Sequence, residues 1–283
     1  MKLKLDLPTP LEWFAALVQH DEQLPLFEAA LSLAQDEYPE LDPQQVLGNL
    51  DQLVARLRRR LPADAPALQR LRTLNQFFFQ EMGFSVNPNN YYDPDNSYLH
   101  EVLRTRRGIP ISLALVWLEL AQAVGLQAEG VSFPGHFLVK VGMPRGQVVI
   151  DPLSGQSLSR EDLSERLDPY RHRMASGGTL DDPVGTYLQA ARPREILARM
   201  LRNLKEIHRS QQDWARLVAV QDRLIVLLPR AWGEYRDRGL ARAELGRSTL
   251  AVADLELYLS FAEDGPDIED IAQRVLQLRR PPG

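Results

Sequence analysis

Two side chains in this sequence have the types and the spacing to act as an acid–base pair. His136 stands in Pro134-Gly135-His136-Phe137-Leu138-Val139, and Asp151 follows fifteen residues later in Ile150-Asp151-Pro152. The segments around them are short and rich in Val, Phe and Ile, with Pro134-Gly135 and the stretch from Gly142 to Gly146 as turns. They read as strands over Ala128 to Phe133, His136 to Val141 and Gln147 to Ile150 of a small antiparallel sheet. Pairing the last two strands brings His136 and Asp151 together. A carboxylate beside imidazole fixes its tautomer and stabilises the imidazolium, which is the base half of a nucleophilic triad. A strand histidine beside an Asp-Pro turn would satisfy the same spacing with no chemistry at all.

Cysteine is absent from the 283 residues. That excludes a thiol nucleophile, a thiolate metal site and a disulfide scaffold. His20, His100, His172 and His208 show no ligand spacing, and neither a Walker loop nor Gly-x-Gly-x-x-Gly occurs, so no metal and no cofactor is expected.

The elements that must carry this pair follow from periodicity. Apolar residues recur at helical spacing from Pro25 to Ala34, at Leu50, Leu53, Val54, Leu57 and Leu61, and from Leu68 to Met82 with Gly83 as a C-cap. Arg56, Arg58, Arg59 and Arg60 occupy the other faces of the second helix and read as a solvated face rather than a nucleic-acid surface. Asn87 to Asn96 is dense in turn formers and reads as a loop. Ile111 to Val124, with Pro110 before it and Gly125 after it, is apolar on nearly all sides and reads as a buried core helix. Beyond the strands, Ser154 to Asp182 is polar and turn-rich, with a short helix over Arg160 to Leu167 and its most flexible point at Gly177-Gly178.

From Pro193 onward the chain is helical, and a 34-residue shift superposes Leu201 on Tyr235, Val218 on Val252, Ala219 on Ala253 and Leu224 on Tyr258. That is the period of tetratricopeptide helix pairs. About two units fit, with Pro229 and Asp264-Gly265-Pro266 as breakers. A segment of two pairs is too short to bury its own core and should dock on the preceding domain, with Trp214, Leu227 and Trp232 as candidates for that packing.

Composition sets the class. With 44% apolar and 25% charged residues and a net charge of -5, the chain can fill a core and has no charge bias toward nucleic acid or an anionic membrane. Met1 to Pro10 lacks the apolar run of a signal peptide, and no stretch is long enough to span a bilayer, so a soluble cytoplasmic protein is expected.

Several motifs together resemble one family. Gly108-Ile109-Pro110-Ile111-Ser112-Leu113, Pro134-Gly135-His136-Phe137-Leu138-Val139, Ile150-Asp151-Pro152, Asn90-Tyr91-Tyr92-Asp93-Pro94 and Asn96-Ser97-Tyr98-Leu99 look like the SirB1 family of bacterial proteins. The resemblance covers residues 26 to 190, and a tetratricopeptide-like C-terminal segment is usual there. It implies an α+β fold: N-terminal helices, then a papain- or transglutaminase-like core with a helix on a small antiparallel sheet, in residues 1–190. An all-α tetratricopeptide-like segment follows in 191–283.

In transglutaminase-like domains the core helix starts Gly-x-Cys, with Ala four residues and Gly fifteen residues after the cysteine. Here Ala114 and Gly125 stand at those distances from Pro110, with Gly108 two residues before it. The resemblance thus puts proline at the nucleophile position, with His136 and Asp151 matching the other two triad members. Ser112 is the available substitute, but two residues along a helix turn a side chain by about 200°, away from the base; its other role is bonding within the first turn. Tyr91, Tyr92, Asp93, Asn96 and Arg106 line or brace the cleft in this reading, or serve as Asx-turn and ion-pair residues. The expectation is a non-catalytic protein that binds a peptide or protein partner. The alternative is a hydrolase or acyltransferase acting on peptide or amide bonds through Ser112, His136 and Asp151.

Overall fold

A computed structural model describes residues 8–174, 184–262 and 265–280, with the side chains of residues 171–174 left aside. Gly177-Gly178 and Asp264 lie outside the described residues. Three helices open the chain, α1 (Pro10–Leu17), α2 (Leu26–Ser32) and α3 (Pro43–Arg58). Thr9 and Glu12 cap α1 reciprocally, with Pro10 at its first position. Next, α4 (Ala67–Asn75) widens into a π-helical turn over Gln76–Glu81, closed by the Met82 amide donating to Phe77 O at 2.8 Å. The widened turn sinks both Phe77 and Phe78 into the core. Gly83 follows at φ +71°, the left-handed geometry of a helix C-cap.

Two short strands, β1 (Ser85–Val86) and β2 (Arg107–Gly108), pair in parallel around the Asn87–Asn96 loop and α5 (Leu99–Thr105). Strand β2 leads straight into α6 (Pro110–Ala123), whose residues from Pro110 to Trp117 are all buried. Val124 and Gly125, the latter at φ +74°, end it as the sequence indicates.

The sheet has four antiparallel strands in sequential order, β3 (Ala128–Val131), β4 (Leu138–Met143), β5 (Gly146–Ile150) and β6 (Ser157–Leu158). Strand β4 starts two residues later than the sequence suggests, because Gly135 takes φ +68° and the His136 amide donates to Phe133 O at 3.1 Å, which closes a turn. A fourth strand and a longer α7 (Arg160–Met174) are further differences. Ser159 and Asp162 cap α7 reciprocally, and the helix continues through Pro169.

The C-terminal helices are α8 (Pro193–Ser210), α9 (Trp214–Leu227), α10 (Trp232–Glu244), α11 (Ser248–Phe261) and α12 (Ile268–Leu278). Helices α9 and α11 begin 34 residues apart, as the internal shift requires. The apolar face of α8 (Ile196, Leu197, Met200, Leu201, Leu204) and the α9 residues Val220, Leu224 and Leu227 share one core with α2, α3, α6 and β4. Leu227 therefore docks as expected. Trp214 and Trp232 do not: Trp214 packs with Leu217, Val218 and Ala241, and Trp232 stacks on Phe261 at 4.0 Å, both within the helical segment.

Candidate functional site

The hairpin register pairs Val139 with Ile150, so the chain just before β4 and just after β5 emerges at one edge of the sheet. His136 Nε2 lies 3.0 Å from Asp151 Oδ1. Asp151 is buried and holds two further partners: the Leu153 amide donates to Oδ1 at 3.0 Å, and an Arg166 guanidinium nitrogen from α7 lies 3.0 Å from Oδ2. Burial pushes this carboxyl pKa up. The hydrogen bonds from His136, Leu153 and Arg166 and the charge of His136 outweigh burial and bring it down to about 2.

Both ends of the pair are fixed from outside the sheet. Tyr170 of α7 lies against Gly135, where an added Cβ would stand 1.6 Å from its hydroxyl, so only glycine fits before His136. Beyond Asp151, Gly155 at φ +73° lies under the Phe79 ring, and its carbonyl accepts from Asn75 Nδ2 at 3.3 Å. Asn75 Oδ1 in turn accepts from Trp117 Nε1 of the core helix at 3.0 Å.

His136 faces a cavity of about 360 Å³ that also contains Pro110, Tyr91, Tyr92 and Arg199. Pro110 is the first residue of α6, preceded by extended Ile109. The fourth wall is α8, which contributes Arg199, Asn203, Glu206 and Ser210. Arg199 is anchored by donating from Nη1 to Ser132 Oγ at 2.9 Å and Phe133 O at 3.2 Å, with its guanidinium over Phe137. Burial holds its pKa below the ordinary arginine value.

Residues 44–202 match the transglutaminase-like superfamily, and residues 204–275 match a tetratricopeptide-repeat family. A UPF0162 protein of Xylella fastidiosa is 36% identical over 94% of this chain and 94% of its own length. The chain belongs to the UPF0162 family. A UPF0162 protein of Pseudomonas aeruginosa is 32% identical, covering 90% of this chain and 92% of that protein. The crystal structure of menin aligns over 93% of this chain and 72% of its own with a TM-score of 0.39 at 13% identity, too slight a likeness to support an argument. A transglutaminase-like core followed by a tetratricopeptide segment, the two architectural implications of the SirB1 resemblance, are both present, and the relatives carry the name UPF0162.

In this UPF0162 chain the remaining sequence candidates separate. Ser112 is fully buried and does not line the cavity. Its hydroxyl donates to Asn96 O at 2.6 Å, with Ile109 O at 3.1 Å, and accepts from the Ile109 amide at 3.1 Å. Asn96 passes this anchorage on, its Nδ2 donating to the carbonyls of Asn90 (2.7 Å) and Tyr91 (3.2 Å). Ser112 and Asn96 thus hang the Tyr91–Tyr92 loop on the head of α6. Asp93 caps the short turn Pro94–Asn96 by accepting from the Asp95 amide at 3.1 Å.

Arg106 is the correction. As the left-handed C-cap of α5 (φ 61°) it points away from the cleft, over the Phe84 ring and into a separate pocket beside α3. The α8 wall was missed. Its signal is a stripe at positions 199, 203, 206 and 210, which share one helix face at a 3.6-residue period. Among the described residues no cluster of three or more metal-ligating side chains occurs, and no helix is long and apolar enough to cross a membrane.

Proposed function

We propose that this UPF0162 chain is a non-catalytic, transglutaminase-like binding protein whose cleft takes a peptide segment of a partner. The observation that carries the reading is the occupant of the helix head: Pro110, with no hydroxyl or thiol, shares the cavity with His136, while the hydroxyl two residues on, Ser112, is spent on Asn96 and Ile109, and that of Ser210 in the cavity wall donates to Ile207 O. A histidine with its carboxylate beside Pro110 has no side-chain nucleophile at that position to activate for covalent acyl transfer. What the cavity offers instead is recognition chemistry. Tyr91 and Tyr92 are exposed and meet edge to face at 5.5 Å, presenting aromatic area, and Arg199, Asn203 and Glu206 present hydrogen-bonding groups along a rigid helix. The tetratricopeptide match, of a kind of module that generally binds other proteins, begins at residue 204 within that helix and takes in Glu206 and Ser210 of the wall.

Displayed random peptides selected on the full-length chain test this. Binders should lose at least tenfold in affinity on Tyr92→Ala and on Arg199→Gln, and a fluorophosphonate probe should leave the native protein unlabelled. Selected peptides indifferent to both substitutions would move recognition away from the cleft. Labelling that Ser112→Ala abolishes would overturn the non-catalytic reading in favour of a serine hydrolase.

A further inference from the structure

A second pocket, of about 310 Å³, opens between α3 and α5 on the side of the molecule reached by Arg106. Its cations are Arg56 from α3, Arg104 from α5 and Arg106 from the α5 C-cap, with His100 beside them and Asn49 and Gln52 as neutral hydrogen-bonding groups. Among the described residues the carboxylate paired directly with them is Glu101, bound by Arg104 through Nε at 3.0 Å, with its Oε1 3.5 Å from His100 Nε2; Asp95 acts on His100 and Arg104 only through its charge. Among the described residues no acidic side chain pairs with Arg56 or Arg106, whose visible partners are the faces of Phe77 and Phe84.

Arg106 makes the imbalance costly. Its Nη1 is buried and has no hydrogen-bond partner, and neither ring nitrogen of His100 has one. Burial and the nearby Arg56 charge both work against the Arg106 cation. A guanidinium remains protonated in a protein, so the repulsion is relieved by bringing in an acceptor, and two neighbouring guanidiniums match the geometry of a tetrahedral oxyanion better than that of water. The backbone is committed to this placement too, since Arg106 holds a left-handed conformation that a side chain adopts at a cost.

We propose that the Arg56–Arg106 pocket binds a phosphate-type oxyanion, either free phosphate or the phosphoryl group of a small metabolite, at a site separate from the His136 cleft. Arg106 Nη1 and the Arg56 guanidinium would donate to it, with Asn49 and Gln52 completing the shell.

The test uses the full-length chain and inorganic phosphate, read by ³¹P NMR line broadening and by thermal unfolding at constant ionic strength against chloride. Wild type should show a saturable response. Arg56→Gln removes an exposed cation, and Arg106→Gly suits a left-handed position; each should weaken phosphate binding at least tenfold while the phosphate-free protein unfolds cooperatively. Should Arg106→Gly not fold, Arg56→Gln alone decides. Tighter binding of glycerol 3-phosphate than of phosphate would identify a phosphoryl carrier, and the reverse would identify the free ion. No saturable response in wild type, equal affinity in the variants, or preference for citrate over both phosphates would overturn the proposal.

Discussion

Asp151 is held ionised against its own burial, and the consequence is a stability that depends on acid. Its folded pKa of about 2 lies below that of an unfolded aspartate, about 3.9. The unfolded chain therefore binds the proton first: the stabilisation is complete above about pH 4 and disappears as pH falls toward 2. Asp151→Asn should cost about 1 to 3 kcal/mol at pH 7, because His136 and Arg166 lose a charged acceptor, and should flatten the acid limb of the stability profile. Urea unfolding between pH 2 and 7 measures both. An unchanged midpoint with an unchanged acid limb would mean that the 3.0 Å contact with His136 contributes nothing to the fold. This pair was legible from spacing because a hairpin register is arithmetic: once Val139 faces Ile150, the flanking residues must meet. The role of Ser112 was half legible. Its turn away from the cleft follows from helix geometry, whereas its bond to Asn96, sixteen residues back, depends on how a loop without periodicity folds.

Among the elements, α8 joins the two halves of the chain. One face enters the central core and another lines the cleft, and near its end His208 is buried with neither ring nitrogen hydrogen-bonded. Burial pushes the His208 pKa below the ordinary value, and Arg216 adds to this, although Asp213 and Glu37 pull the other way. With the folded value depressed, the neutral ring is compatible with the fold above about pH 6.5, and stability is lost as pH falls below that. His208→Phe should remove part of the loss below about pH 6.5, which thermal unfolding at falling pH would register; an identical slope in variant and parent would show that His208 does not contribute to it. Periodicity exposed α3 and the 34-residue repeat through apolar residues at regular spacing, and α6 was exposed by an apolar run between Pro110 and Gly125 too long for a strand. The helix α1 was signalled only by Thr9-Pro10 and Glu12, a capping box without a long stripe behind it, and β1 and β2 are two residues each, too short to have a period.

At the scale of the whole molecule, the helical segment is sewn to the first half by charge as well as by packing. Arg223 of α9 is almost fully buried, pairs with Asp36 at 2.9 Å and lies over the Phe14 ring of α1. Arg194 of α8 donates to the carbonyls of Val18 and Leu227 and pairs with Asp21. Farther out, Arg238 and Arg242 of α10 bridge Asp222 of α9 and Asp254 of α11, and α11 and α12 share a small separate core of Leu255, Tyr258, Ile271 and Val275. Cutting before Pro193 would leave α8 and α9 with Leu197, Leu201, Leu204, Leu224 and Leu227 in water while the α11–α12 core kept its contacts. Each such leucine forfeits roughly 1.5 to 3 kcal/mol of burial, several times over the whole face, against a net stability of roughly 5 to 15 kcal/mol for a typical domain. Residues 193–283 expressed alone should therefore melt broadly with low cooperativity, whereas the full chain should unfold in a sharper transition. Calorimetry of both would decide. A sharp transition in the isolated segment would mean that its repeats fold without the core they share, and would detach the α8 wall from the cleft it lines.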